Sequence, residues 1–149
     1  MNGIRRLSEL ALNILSKIEW LPPLLVRLSV GYVFFLSGKG KLLNLDRTAG
    51  FFESLGIPLP HVNAVLAAAT ECFGGLFLMI GLLTRLVSIP LAFVMGVAIA
   101  TAKMGEVSDL ADFAGLSEVA YLLIFAWLVT AGPGKASLDY LISKKWRRR

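Results

Sequence analysis

The stretch 64-AVLAAATECFGGLFLMIGLL-83 decides the fold. Of its twenty residues, Ala64 to Leu83, nineteen are uncharged, and the exception is Glu71. A bilayer core about 30 Å thick is crossed by roughly 20 apolar residues as helix. The run is continuous and lacks the alternation of a barrel strand, so it predicts a transmembrane helix. On a helix, residues three and four apart share a face. Around Glu71 these are Ala67, Ala68, Gly74 and Gly75, all small, whereas Leu66, Phe73, Phe77 and Ile80 lie opposite. Small faces let membrane helices approach closely. The carboxylate therefore points at a partner helix and not at acyl chains. An acidic group costs about 2.5 kcal/mol or more in hydrocarbon, so Glu71 is expected to be paired or protonated.

The rest of the chain agrees. Apolar residues make up 56% and charged residues 17%, and mean hydropathy is +0.73. Four segments are long enough to span: about 23–43, 62–83, 86–104 and 116–132. Residues 1–149 read as a single domain, an all-α polytopic membrane four-helix bundle. Ile4, Leu7, Ala11, Ile14, Ile18 and Leu21 recur at helical steps, with Arg5, Arg6, Glu9, Asn13 and Lys17 on other faces. This predicts an amphipathic helix on the membrane surface and not a cleavable signal peptide. Pro22-Pro23 ends it and turns the chain into the bilayer. The first outer loop predicts a short helix capped by Asp46 and ended by Gly56 and Pro58. Its Phe51-Phe52 pair rests on the membrane or the bundle mouth. Ten of the fifteen Lys and Arg fall on one side, in the N-terminal segment, at Arg85 and in the tail. By the positive-inside rule both termini are cytoplasmic. The KKWRRR end suits anionic headgroups, and a nucleic-acid role is set aside.

Candidate partners for Glu71 lie in span one. With spans at equal depth, Glu71 sits about 13 Å below the outer edge. Arg27 is deeper and Lys41 shallower. Arg27 is preferred because its planar fork suits a buried carboxylate. Glu118 stands level with Lys41 and Lys103, and the three can cluster at the outer mouth. Ala92, Gly96 and Ala100 form a small-residue row that predicts close packing of span three. Arg85 marks a membrane boundary. Gly132-Pro133-Gly134 ends span four, and Ser137 caps the helix that follows.

Several chemistries are excluded. Cys72 is the single cysteine, so an internal disulfide and a CxxC redox pair are impossible. Lone His61 cannot supply a metal site, which needs three or four ligands. No Gly-rich nucleotide loop and no Ser-His-Asp set is present. Any redox chemistry must come from a partner or a bound quinone.

The chain resembles the DoxX family. The resemblance rests on RLSVGYVFFLSGKGKL (Arg27 to Leu42), FFESLGIP (Phe51 to Pro58), ECFGGLFLMIGLLTR (Glu71 to Arg85) and GPGKASLD (Gly132 to Asp139), in the family's order. The positions it carries over are Arg27, Gly38, Lys41, Gly56, Pro58, Glu71, Gly75, Arg85, Glu118 and Gly132-Pro133-Gly134. Gly74 belongs to the same small face. Family members often carry a histidine in or after span three, and Lys103 occupies roughly that region here. The resemblance implies a four-span protein of the prokaryotic cytoplasmic (inner) membrane. It also implies the membrane subunit of a quinone- or thiol-linked redox complex, with a redox partner protein or a homo-oligomer as partners. Two alternatives stay open. One is a non-catalytic anchor or assembly protein, with Glu71 fixing helix register. The other is a small-solute or proton-coupled carrier, with Glu71 titrating.

Overall fold

The structure is a computed structural model that describes residues 9, 12, 13 and 15–146. The expected surface helix depends on Ile4, Leu7, Ala11 and Ile14, which lie outside the described residues. Helix α1, Leu21–Leu43, begins with Pro22 and Pro23 in its first turn, where a missing N–H costs no helical bond. Asn44 separates it from α2, Leu45–Ser54. Asp46 does not cap α2, as expected, but sits inside its first turn, where a carboxylate still favours the positive helix end. Gly56 ends α2 at φ +71°, and Ile57 N donates to Phe52 O at 3.0 Å.

Helix α3, Pro60–Ile80, holds the Glu71 stretch and stops at Gly81, φ +68°. Helix α4, Thr84–Ala98, contains Pro90 and widens into a π-helical turn over Ile99–Lys103. A short α5, Leu110–Gly115, leads into α6, Ser117–Ala131. Helix α7, Leu138–Trp146, follows. Among the described residues, three helical stretches are long and apolar enough to cross a membrane: Leu15–Leu43, Pro60–Ile80 and Thr84–Lys103. Apolar α6 is shorter. Its 15 residues rise about 22 Å against the roughly 30 Å hydrocarbon core. The chain is a helical membrane bundle.

The small face of α3 packs as its sequence predicts. A Cβ on Gly38 would lie 2.2 Å from Cys72 N, and one on Gly75 would lie 2.4 Å from Phe35 N. Only glycine lets α1 and α3 meet this closely. Gly74 turns the other way, toward the Leu91 side chain of α4. The apolar centre is Val30, Phe34, Leu78, Leu91, Met95, Phe125 and Leu128. The Phe34 ring packs edge-on against Tyr121 at 5.1 Å and Phe125 at 5.0 Å, tying α1 to α6. The expected packing of Ala92, Gly96 and Ala100 is corrected. Helix α4 buries Thr84, Ser88, Leu91 and Met95 instead, Ala100 is exposed, and a Cβ on Gly96 would meet nothing within 4 Å. Ala92 alone of the row packs against the core, beside Leu91 and Met95, which fill the groove.

Candidate functional site

Glu71 sits near the middle of α3, and the close α1–α3 crossing decides what it meets. Gly38 and Gly75 bring the backbones together, so short and long polar side chains on α1 can both reach it. Ser37 Oγ donates to Glu71 Oε2 at 2.8 Å, and Lys41 Nζ lies 2.5 Å from Glu71 Oε1. The Glu71 side chain is 2% exposed and that of Lys41 33%. The carboxylate is thus bonded on both oxygens, by one neutral and one cationic donor. A charge-assisted contact of this kind is about twice as strong as a neutral one. It offsets the desolvation that an isolated carboxylate would suffer.

Glu71 also lines a cavity of about 1140 Å³. Its walls are α1 (Ser37, Gly40, Lys41), α2 (Arg47, Phe51, Phe52), α3 (Ala67, Thr70, Glu71), α4 (Phe93, Val97, Thr101) and α6 (Glu118, Tyr121). Val33, Leu36, Leu66 and Phe93 line it and are themselves exposed, so the cavity is a cleft open toward the lipid-facing surface. The arrangement is an apolar slot with a few placed polar groups, the usual form of a small-molecule site. Ser37, Thr70 and Tyr121 escaped the sequence reading. Hydroxyl residues are common in membrane helices, and nothing local marks these three. The one signal available was that Ser37 precedes Lys41 by four residues and so shares its face.

Arg27 is corrected as the partner of Glu71. It is fully buried at the other end of α1. There Nη1 donates to Leu78 O at 3.4 Å and Nη2 to Ala136 O at 2.5 Å. The last carbonyls of a helix have no partner within it, and one of these takes the guanidinium. The same end holds a second device missed by the sequence reading. Asp139 accepts from Leu83 N at 2.8 Å and Thr84 N at 3.0 Å, capping α4 from 55 residues away. Arg85 Nη2 donates to Thr130 O at 3.1 Å, and a Cβ on Gly132 would lie 2.9 Å from Arg85 Nε. Gly134 faces Pro23. Ser137 Oγ accepts from Tyr140 N at 3.2 Å, the expected cap of α7. Arg27, Arg85 and the 132–139 turn therefore clasp one end of the bundle, while Glu71 and Lys41 serve the cleft.

The remaining candidates divide. Glu118 shares the cleft with Lys41 and accepts from Ser117 Oγ at 3.1 Å. Lys103 closes the π-helical turn of α4 and is not among the lining residues. Pro58 O accepts from Asn63 Nδ2 at 2.6 Å, which holds the α2–α3 loop beside the cleft. Cys72 is buried and points away from it, in contact distance of the α1 backbone.

Comparison with known proteins gives a consistent result. The DoxX family model matches residues 23–104. The protein named "Putative oxidoreductase CatD" in Bacillus subtilis is 36% identical over 123 residues, covering 81% of this chain and 87% of that one. The "Uncharacterized membrane protein Rv3486" of Mycobacterium tuberculosis is 34% identical over 131 residues, with 80% of each chain covered. The "Inner membrane protein YqjF" of Escherichia coli is 30% identical over 138 residues, covering 89% of this chain and all of that one. No solved structure matches.

Proposed function

The chain belongs to the DoxX family, and on that premise we propose that it is the membrane subunit of an oxidoreductase complex that binds a quinone head in the Glu71 cleft. One observation carries the reading. A buried carboxylate, held by Ser37 and Lys41, lies in the wall of a cleft of about 1140 Å³ that opens toward lipid. A structural ion pair needs no such space beside it. The apolar rim, Val33, Leu36, Leu66 and Phe93, suits a tail that stays in the bilayer.

A quinone supplies two-electron, two-proton chemistry when bound. The protein's own residues do the rest. Lys41 presents its remaining N–H donors at the buried end, and Glu71, itself held by the Ser37 hydroxyl, fixes the ammonium in place. Lys41 is one-third exposed and links the buried carboxylate to the cleft's more open end. Electrons come from a partner protein, since one buried cysteine cannot cycle as a dithiol. In this reading the protein resides in the bacterial inner membrane, as the name of YqjF states for that relative. Arg85 and the tail are cytoplasmic by charge.

The test is the quinone content of the purified protein. Wild type and Glu71→Gln are extracted from native membranes, and quinone per chain is measured by chromatography. Near-stoichiometric quinone in wild type and its loss in the variant are expected. Wild type free of quinone, in a protein that otherwise remains folded, would leave Glu71 as packing chemistry.

A further inference from the structure

The cleft has a second polar end on a different helix. Tyr121 lines it from α6, and its ring is held edge-on against Phe34, 86° between planes and 5.1 Å between centroids. The ring's position is thereby set by packing. Its hydroxyl forms no hydrogen bond with any other described residue. Tyr121 is half-buried and its hydroxyl is not enclosed by protein, so it is free to meet a molecule in the cleft. Glu118 stands one turn earlier on the same face and lines the same cleft. On the α1–α3 side, by contrast, the polar groups of Ser37, Lys41 and Glu71 are bonded to one another. The ligand therefore meets a charged, preorganised group on the α1–α3 wall and the unengaged Tyr121 hydroxyl on the α6 wall.

We infer that the cleft takes a head bearing oxygens on two opposite edges, one directed to the Lys41 ammonium and the other to the Tyr121 hydroxyl. Tyr121 is then the specificity-determining residue. This inference rests on the quinone reading and narrows it. An ordinary phospholipid presents one polar end and would leave Tyr121 unengaged. A ring with a carbonyl on each edge engages both walls, while its tail leaves past Val33, Leu36 and Phe93. A site built to hydrogen-bond an oxygen discriminates strongly against an analogue lacking it, because its own polar group is left unpaired.

The test compares two probes on the purified full chain by calorimetry. One is a decyl-tailed 1,4-naphthoquinone. The other is the decyl-tailed 1-tetralone, which keeps one of the two carbonyls. Wild type should bind the dione about tenfold more tightly, the effect of one hydrogen bond. Tyr121→Phe keeps the ring on Phe34 and should keep the thermal midpoint. It should bring the dione down to the affinity of the tetralone and leave the tetralone within about twofold, since one bond alone is removed. A Tyr121→Phe protein that retains the tenfold preference overturns the inference. So does a wild type that binds both probes equally. Wild type that binds neither probe overturns the quinone reading itself, and the inference with it.

Discussion

Replacing Gly38 by alanine should pry the bundle open at its closest crossing. The added Cβ would lie 2.2 Å from Cys72 N, 2.7 Å from Ala68 O and 2.7 Å from Cys72 Cα. All three are backbone atoms of α3, so no rotamer change can yield. Ordinary contact begins near 3.4 Å, and the two helices must separate by more than 1 Å to restore it. A gap of 0.5–1 Å already forfeits about a quarter to a half of each dispersion contact along the seam. Overpacking of this kind costs about 1–3 kcal/mol. For a chain of this size that is a fall of about 6 °C in the unfolding midpoint, taking the middle of both ranges. The assay is built in. Cys72 is the single cysteine and is buried at this crossing, so a thiol-reactive dye reports its exposure on heating in detergent. Gly40→Ala is the control, two residues along the same helix, where a Cβ meets nothing within 4 Å. If the two variants release Cys72 at the same temperature, the close-crossing argument is refuted.

Asp139→Ala should lower stability by about 1–2 kcal/mol, the usual loss for an N-terminal cap, and the Cys72 assay reads it. A midpoint equal to wild type would mean that the cap contributes nothing. The Lys135–Glu19 pair gives a pH test. The hydrogen bond from Lys135 to Glu19, and then the charge of Glu19, raise the lysine above its ordinary 10.5. A raised amine contributes stability that is fully present below 10.5 and lost as pH climbs through the higher folded value. The difference between wild type and Lys135→Gln should thus be small and constant near neutrality, shrink with salt, and vanish at strongly alkaline pH. A difference that grows with alkalinity would reverse the sign of the argument.

The long apolar helices and the small face of α3 were legible, the first from continuous apolar runs and the second from local periodicity. Ala68, Gly74 and Gly75 stand at helical steps from Glu71, and all are buried. The partner of Glu71 was not legible. A depth ruler treats helices as parallel rods and ranks Arg27 against Lys41 by height alone. It omits the Gly38–Gly75 approach and the long lysine stem that reaches inward from the last turn of α1. Arg27 was misread for a related reason. Its acceptors are main-chain carbonyls at Leu78 and Ala136, which carry no side-chain signature. The Ala92–Gly96–Ala100 row misled because small residues permit a close approach without requiring one. What filled the groove was Leu91 and Met95. Asp139 and Tyr121 act through contacts 55 and more residues away in sequence, beyond the reach of spacing rules.

The Arg27 clasp also bears on how the chain is made. The short bond from Arg27 reaches Ala136, 109 residues downstream. During synthesis the first span therefore enters the bilayer before the main-chain oxygen that receives its cation exists. Leu78 O arrives with α3, and the final acceptor arrives only after α6 is made. A chain cut short of residue 136 lacks that acceptor, and an unmet cation is costly in hydrocarbon. The turn that closes the chain is thus what satisfies the cation of its first long helix.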